Sequence, residues 1–210
     1  MNRRTLAVLA LVALLVLSGC AFLTGETLEF TATAATVSET AQQDAQYELL
    51  ELENQSINRT VEALGQERTV EAKNWIATYE RDLAVSTTGA VGTVALVSTP
   101  QMTVAGQAVN PVGKMSPRQL LETVAAGQGL SDVTFRDNRS VTVLGEDATV
   151  SVFDATTEYA GQEVDVSVHL FRVAHEDDYV IGVGVHPAVM SAEQAGVDTM
   201  FAGIEHPGSE

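Results

Sequence analysis

Cys20 is the one cysteine of a 210-residue sequence, and its surroundings indicate what the thiol is for. Leu17-Ser18-Gly19 stands directly before it. Small side chains at Ser18 and Gly19 let the peptide lie extended in a peptidase cleft, and the thiol after them is the group that takes a thioether-linked lipid. Upstream, Thr5 to Leu17 is an apolar run of 13 residues, short of the ~20 that a bilayer span needs. With Met1-Asn2-Arg3-Arg4 before it, the run reads as the core of a signal peptide. The expected product is cut before Cys20 and held by lipid on the outer face of the cytoplasmic membrane. Arg3 and Arg4, followed by Thr5-Leu6, fit a twin-arginine export signal; an ordinary secretory signal fits them as well.

The other residues able to do chemistry are few. Four histidines are present: His169, His175, His186 and His206. His169 and His186 fall on neighbouring predicted strands and can converge, but a zinc site needs at least a third protein ligand. His175-Glu176-Asp177-Asp178 puts carboxylates at a turn, as a hard cation requires, without the length or spacing of a calcium loop. The expected reading there is an acidic hairpin tip. No G-x-S-x-G elbow or glycine-rich phosphate loop is present; Gly182 and Gly184 sit in an apolar strand, where close packing accounts for them. Tyr47, Trp75, Tyr79, Tyr159 and Tyr179 line either a small-molecule cleft or simply the core. The expectation is therefore no catalytic residue, no metal and no cofactor.

Three of the six asparagines, Asn54, Asn58 and Asn138, stand in N-x-[ST] sequons. On an exported chain these are candidate glycosylation sites and demand exposed positions; strand residues with incidental Ser or Thr neighbours are the alternative.

The charge limits the partners. The sequence carries 28 acidic against 11 basic residues, and losing Arg3 and Arg4 with the signal takes the formal charge from −17 to −19. Phosphate binding needs a basic face, so nucleic acid is excluded. A chain this acidic repels itself, and molar salt relieves that repulsion because the Debye length falls to ~3 Å. Only two lysines, Lys73 and Lys114, accompany abundant Thr, Ala and Val, which points to a salt-saturated habitat.

The elements that must position these residues follow from patterning. Residues 1–19 form the signal peptide with its lipobox, 20–36 a lipidated N-terminus and short tether, and 37–210 a single globular domain. Ser38 is the expected N-cap of a helix to Ala45. Tyr47–Val61 and Glu67–Leu83 read as strands around a turn at Gly65, and Val91–Ser98 as another. Ser116-Pro117 opens a helix with apolar Leu120, Leu121 and Val124. Strands follow at Val133–Val143, Thr149–Tyr159, Glu163–Ala174 and Tyr179–His186. Val164, Val166, Val168 and Leu170 alternate with Asp165, Ser167 and His169, as in a half-buried strand. A last helix spans Ser191 to Ile204. The predicted class is α+β: an antiparallel sheet built from hairpins, with two or three helices packed on it.

Asn58-Arg59-Thr60-Val61, Leu64-Gly65 and Thr69-Val70 recur 80 residues later as Asn138-Arg139-Ser140-Val141, Leu144-Gly145 and Thr149-Val150. Duplication of a helix-plus-hairpin unit and convergent hairpin chemistry both explain the echo. Duplication requires the two preceding helices to lie on one side of the sheet, and Arg59 and Arg139 to share one facing.

The lipobox, the LEFTATAATVS segment, the QERTVEA and ATYER stretches, NPVGKMS and the VTVLG hairpin resemble a family of haloarchaeal lipoproteins of unknown function, over nearly the whole chain. The resemblance implies a salt-adapted archaeal surface protein and brings no activity. The order of elements also looks, remotely, like the PsbP and DcrB folds. The expected role is a non-catalytic surface module bound to the membrane through Cys20, with an unknown envelope protein or small ligand as partner; an envelope enzyme with an unrecognised carboxylate site is the alternative.

Overall fold

The computed structural model describes residues 27–63, 66–82, 90–159 and 161–207. The expected signal peptide with Arg3 and Arg4, the expected lipidation site Cys20 and the expected turn at Gly65 lie outside them.

Eight strands form one sheet: β1 (Leu28–Thr31), β3 (Glu48–Ala63), β4 (Gln66–Asp82), β5 (Ala90–Pro100), β8 (Ser131–Val143), β9 (Glu146–Tyr159), β10 (Gln162–His175) and β11 (Asp178–Pro187). Along the sheet the order is β4, β5, β11, β10, β9, β8, with β3 beyond β4 as one edge and β8 as the other. Short pairs β2 (Thr36–Val37) with β12 (Ile204–Glu205), and β6 (Thr103–Val104) with β7 (Gln107–Ala108), lie off it. Among the described residues three α-helices complete the fold: α1 (Glu39–Ala45), α2 (Pro117–Val124) and α3 (Glu193–Ala202).

The α+β class fits, with two adjustments. Sheet dominates the chain, and the sheet is mixed, because β1 pairs β4 in parallel, Leu28 opposite Val70 through Thr31 opposite Lys73. Leu28 and Phe30 pack beside Val70, Ala72, Met102 and Val104. The sheet thus recruits residues assigned to the tether, and the ordered fold begins ahead of Val37. The apolar alternation of that short segment is satisfied by joining the sheet edge left open where β5 ends.

Local signals account for most elements. Ser38 accepts a hydrogen bond from the Ala41 N–H at the start of α1, and Ser116 with Gln119 forms a reciprocal capping box on α2 behind Pro117. Leu144 and Gly145, at φ 52° and 81°, turn β8 into β9, the left-handed pair that a two-residue hairpin of the right twist demands. Gly182 and Gly184 are glycines for close packing. A Cβ at Gly182 would come within 2.1 Å of the Phe171 ring, and one at Gly184 within 2.5 Å of Val197.

The sheet is covered on both faces. On one, α1 and α3 bury Ala41, Ala45, Val197, Met200 and Phe201 against Ala77, Tyr79, Leu96, Val150, Phe171 and Val180. On the other, α2 buries Leu120 and Leu121 against Phe153, Val166, Val168, Leu170 and Ile181. Alternate residues of each strand serve alternate faces.

This arrangement rejects the duplication. The helices ahead of the two echoing hairpins, α1 and α2, lie on opposite faces of the sheet. Arg59 pairs with Val70 and shares the α2 face with it, whereas Arg139 reaches Asp198 of α3 on the other. Gly145 is left-handed as the hairpin requires, so the echo is one of hairpin chemistry. Ser191, the expected first residue of the last helix, lies ahead of it: α3 starts after Ala192, without a side-chain cap.

Candidate functional site

Three of the four histidines are buried, in two clusters on the α1/α3 face. β10 and β11 pair His169 with Gly184 and Ser167 with His186, so the two imidazoles are diagonal neighbours on one face. Their rings stack with centroids 5.0 Å apart, and His169 Nε2 lies 2.9 Å from His186 Nε2. His186 Nδ1 donates to the Pro187 carbonyl, so its Nε2 carries the lone pair and accepts from His169 Nε2–H. His169 Nδ1 is then left to accept from the Arg139 guanidinium at 2.8 Å, and Arg139 is held in turn by both carboxylate oxygens of Asp198. Every ring nitrogen is satisfied with both rings neutral. Burial, reinforced by Arg139, pushes His169 down to about 3. Burial also lowers His186, against the Pro187 hydrogen bond and Glu193, which favour its charged form. The convergence expected of these histidines is real, but the third group that joins them is a guanidinium, which cannot ligate a metal.

The second cluster forms because β12 pairs with β2 and carries His206 back to the sheet. His206 Nε2 meets Asp178 Oδ2 at 3.1 Å, Thr33 donates its N–H to the same oxygen at 2.7 Å, and Ser98 Oγ stands 3.4 Å from His206 Nε2. Serine, histidine and aspartate meet here without forming a hydrolytic triad. A triad needs the carboxylate and the hydroxyl on different ring nitrogens. Here both face Nε2, and Nδ1 faces His175 Nδ1 at 2.9 Å. The turn after β10 is thus only partly the acidic tip expected: Glu176 and Asp177 are exposed, while Asp178 turns inward as a structural acceptor. Among the described residues no three His, Cys, Asp or Glu side chains converge as a metal ion would require.

The aromatic residues do not share a cleft. Tyr47 and Tyr79 are core on the α1/α3 face, Tyr79 accepting the Val37 N–H at 2.8 Å, while Tyr159 is exposed and Tyr179 lies over Gly113. Tyr47 has no hydrogen-bond partner among the described residues, and burial with Glu193 nearby raises it to about 12. Asn54 and Asn58 are exposed on β3 and Asn138 on β8, so all three sequons fall on the two edge strands.

Sequence reasoning missed a cavity with the make-up of a ligand site. It lies on the α2 face, has a volume of about 190 Å³, and is walled by β3, β4 and β5 on the sheet side and by residues from Met102 to Val124 above. Its walls are apolar: Ile57, Val70, Ile76, Val97, Val109 and Val124 among them. Polar residues interrupt them: Asn110 bonds Thr99, Thr123 bonds the Gln119 carbonyl, and the others are Gln55, Asn74 and Arg59. Asn74 is 6 % exposed, and its Oδ1 has no hydrogen-bond partner among the described residues. Arg59 is exposed at the other end and has no acidic partner among the described residues. The lining includes no Asp or Glu. Its residues come from widely separated stretches of chain, from Gln55 to Ile181, which is why no local motif announces it.

Residues 34–205 match the profile of a family described as a domain of unknown function, DUF6517. The chain belongs to that family. The cavity lining and the His169–His186 pair fall wholly inside the family domain, and His206 follows its last residue. No curated protein matches the chain.

Proposed function

We propose that this DUF6517 protein is an exported lipoprotein, tethered through lipid on Cys20 to the outer face of the cytoplasmic membrane, whose domain binds a small ligand without transforming it. The observation that carries the binding reading is the apolar cavity on the α2 face with the unpartnered Asn74 carbonyl in its wall. Ligand sites are concave and mostly apolar, with a few placed polar groups, and a buried acceptor without a partner costs stability that an occupant would restore. Among the described residues, the buried groups with shifted pKa values, His169, His186, Tyr47 and Tyr79, sit in the core of the opposite face and are absent from the cavity lining. That separation supports binding over the enzyme reading, in which a perturbed acid or base belongs in the cleft.

The address rests on the sequence from Met1 to Cys20, and the charge of −19 suits a surface bathed in concentrated salt. Sugars on Asn54, Asn58 and Asn138 would stand along the two open edges of the sheet. There they would block pairing with another chain, the hazard of long edge strands, and β3 is 16 residues long and exposes Leu50 at 62 %.

Titrating the mature domain with 1-octanol at molar salt, followed by amide NMR shifts, tests the binding reading. Saturable shifts gathered at Ala72, Val97 and Val124 are expected. Shifts scattered over both faces, or none, would overturn it.

A further inference from the structure

We propose that the cavity takes an extended amphiphile with an anionic group at one end and a hydroxyl or N–H donor at the other, joined by an apolar span. The proposal deepens the binding reading above and rests on it.

The register of β3 on β4 sets the spacing. Arg59 stands opposite Val70 and Asn74 opposite Gln55, so the two polar groups are four residues apart along the sheet. At ~3.3 Å per residue their backbones are roughly 13 Å apart, and the arginine side chain shortens the gap. Between them on this face lie Ile57 and Ala72, with Val70 opposite Arg59 and the exposed Gln55 opposite Asn74. Asn74 Oδ1 is an acceptor and asks for a donor; Arg59 is a donor with a fixed positive charge and asks for an anion. The orientation is set as well. Glu53, opposite Ile76 and so on the same face beyond Gln55, repels an anion from the Asn74 end. The size limit comes from the volume: a cavity of about 150 Å³ holds a benzene ring, so one of about 190 Å³ suits a single medium-length chain or one ring. The strong negative charge of the domain opposes any anion at long range, but at molar salt that field is screened within a few ångströms while a direct contact to Arg59 survives.

Three probes that share an eight-carbon span separate the parts: 8-hydroxyoctanoate carries both ends, octanoate lacks the donor, and 1,8-octanediol lacks the anion. By calorimetry on the mature domain in molar salt, 8-hydroxyoctanoate should bind about fivefold tighter than octanoate, the worth of one hydrogen bond to a buried acceptor. Asn74→Leu should erase that difference while keeping the melting temperature of the empty domain or raising it, since it removes an unpartnered carbonyl. Arg59→Gln should weaken both acids by about threefold and leave the diol unchanged. Equal binding of 8-hydroxyoctanoate and octanoate to the unaltered domain overturns the proposal, as does an Arg59→Gln variant that weakens the diol as much as the acids. If 1-octanol binds while the three probes do not differ, the cavity is a ligand site and this ligand class is wrong. If 1-octanol does not bind either, both readings fall together.

Discussion

His169 and His186 share a single hydrogen at 2.9 Å between their Nε2 atoms, and neither ring has room for a second proton. With His186 Nδ1–H committed to Pro187 and His169 Nδ1 facing Arg139, protonating either ring sets two donors against each other. Both groups therefore titrate below the usual histidine range in the folded protein, His169 at about 3. The unfolded chain takes up protons near pH 6.5 and the folded one does not, so stability is complete above that pH and falls as pH drops toward 3. The slope is about 1.4 kcal/mol per pH unit for each histidine that stays neutral. Chemical denaturation between pH 7 and 5, where the carboxylates remain charged, should show the loss. His169→Gln should flatten it, and an unchanged slope in that variant would contradict the arrangement of hydrogens.

Asp178 ties together three parts of the chain, accepting from Thr33 N–H while facing His206 and Ser98. Asp178→Ala removes the acceptor of the Thr33 N–H and one partner each of the buried His206 and Ser98, and should cost about 1–3 kcal/mol, measured as a shift of the denaturation midpoint. A change below about 0.5 kcal/mol would mean that the β2–β12 closure does not depend on this carboxylate.

Gly182→Ala places a methyl group against the Phe171 ring, a contact with no flexible far end to yield. A loss of about 1–3 kcal/mol is expected from overpacking. Gly145→Ala differs in kind, because space around Gly145 is open and the strain comes from its φ of 81°. It should cost about 1–2 kcal/mol.

Local chemistry made much of this fold readable from sequence. Ser116 and Pro117 announce α2 because capping is settled within a few residues, and the alternation from Val164 to Leu170 announces β10 as a strand; it is not the half-buried strand expected, because both faces are covered and Ser167 and His169 are buried as well. What escaped depends on distant partners. Asp178 looks like part of an acidic tip until His206, 28 residues on, is brought to it by β12. β1 looks like tether because its pairing site on β4 is some forty residues away. The echo of Arg59 and Arg139 is genuine as a string, but facing is fixed by where each hairpin joins the sheet, and the two join opposite edges. Nothing local marks Asn74 as an unpartnered acceptor; only the cavity around it does.

The salt prediction follows from charge alone. With −19 formal charges on the mature chain, melting temperatures should fall as salt drops from molar to tens of millimolar, where the Debye length grows past ~10 Å. Melts that stay level across that range would contradict adaptation to high salt.

The most direct test of the whole account is the native mass of the protein released gently from its membranes in high salt. A mature chain beginning at Cys20, carrying the mass of thioether-linked lipid and a small adduct that leaves on gentle activation, is the predicted result. A chain recovered with a free Cys20 thiol, or one still bearing residues 1–19, would contradict it.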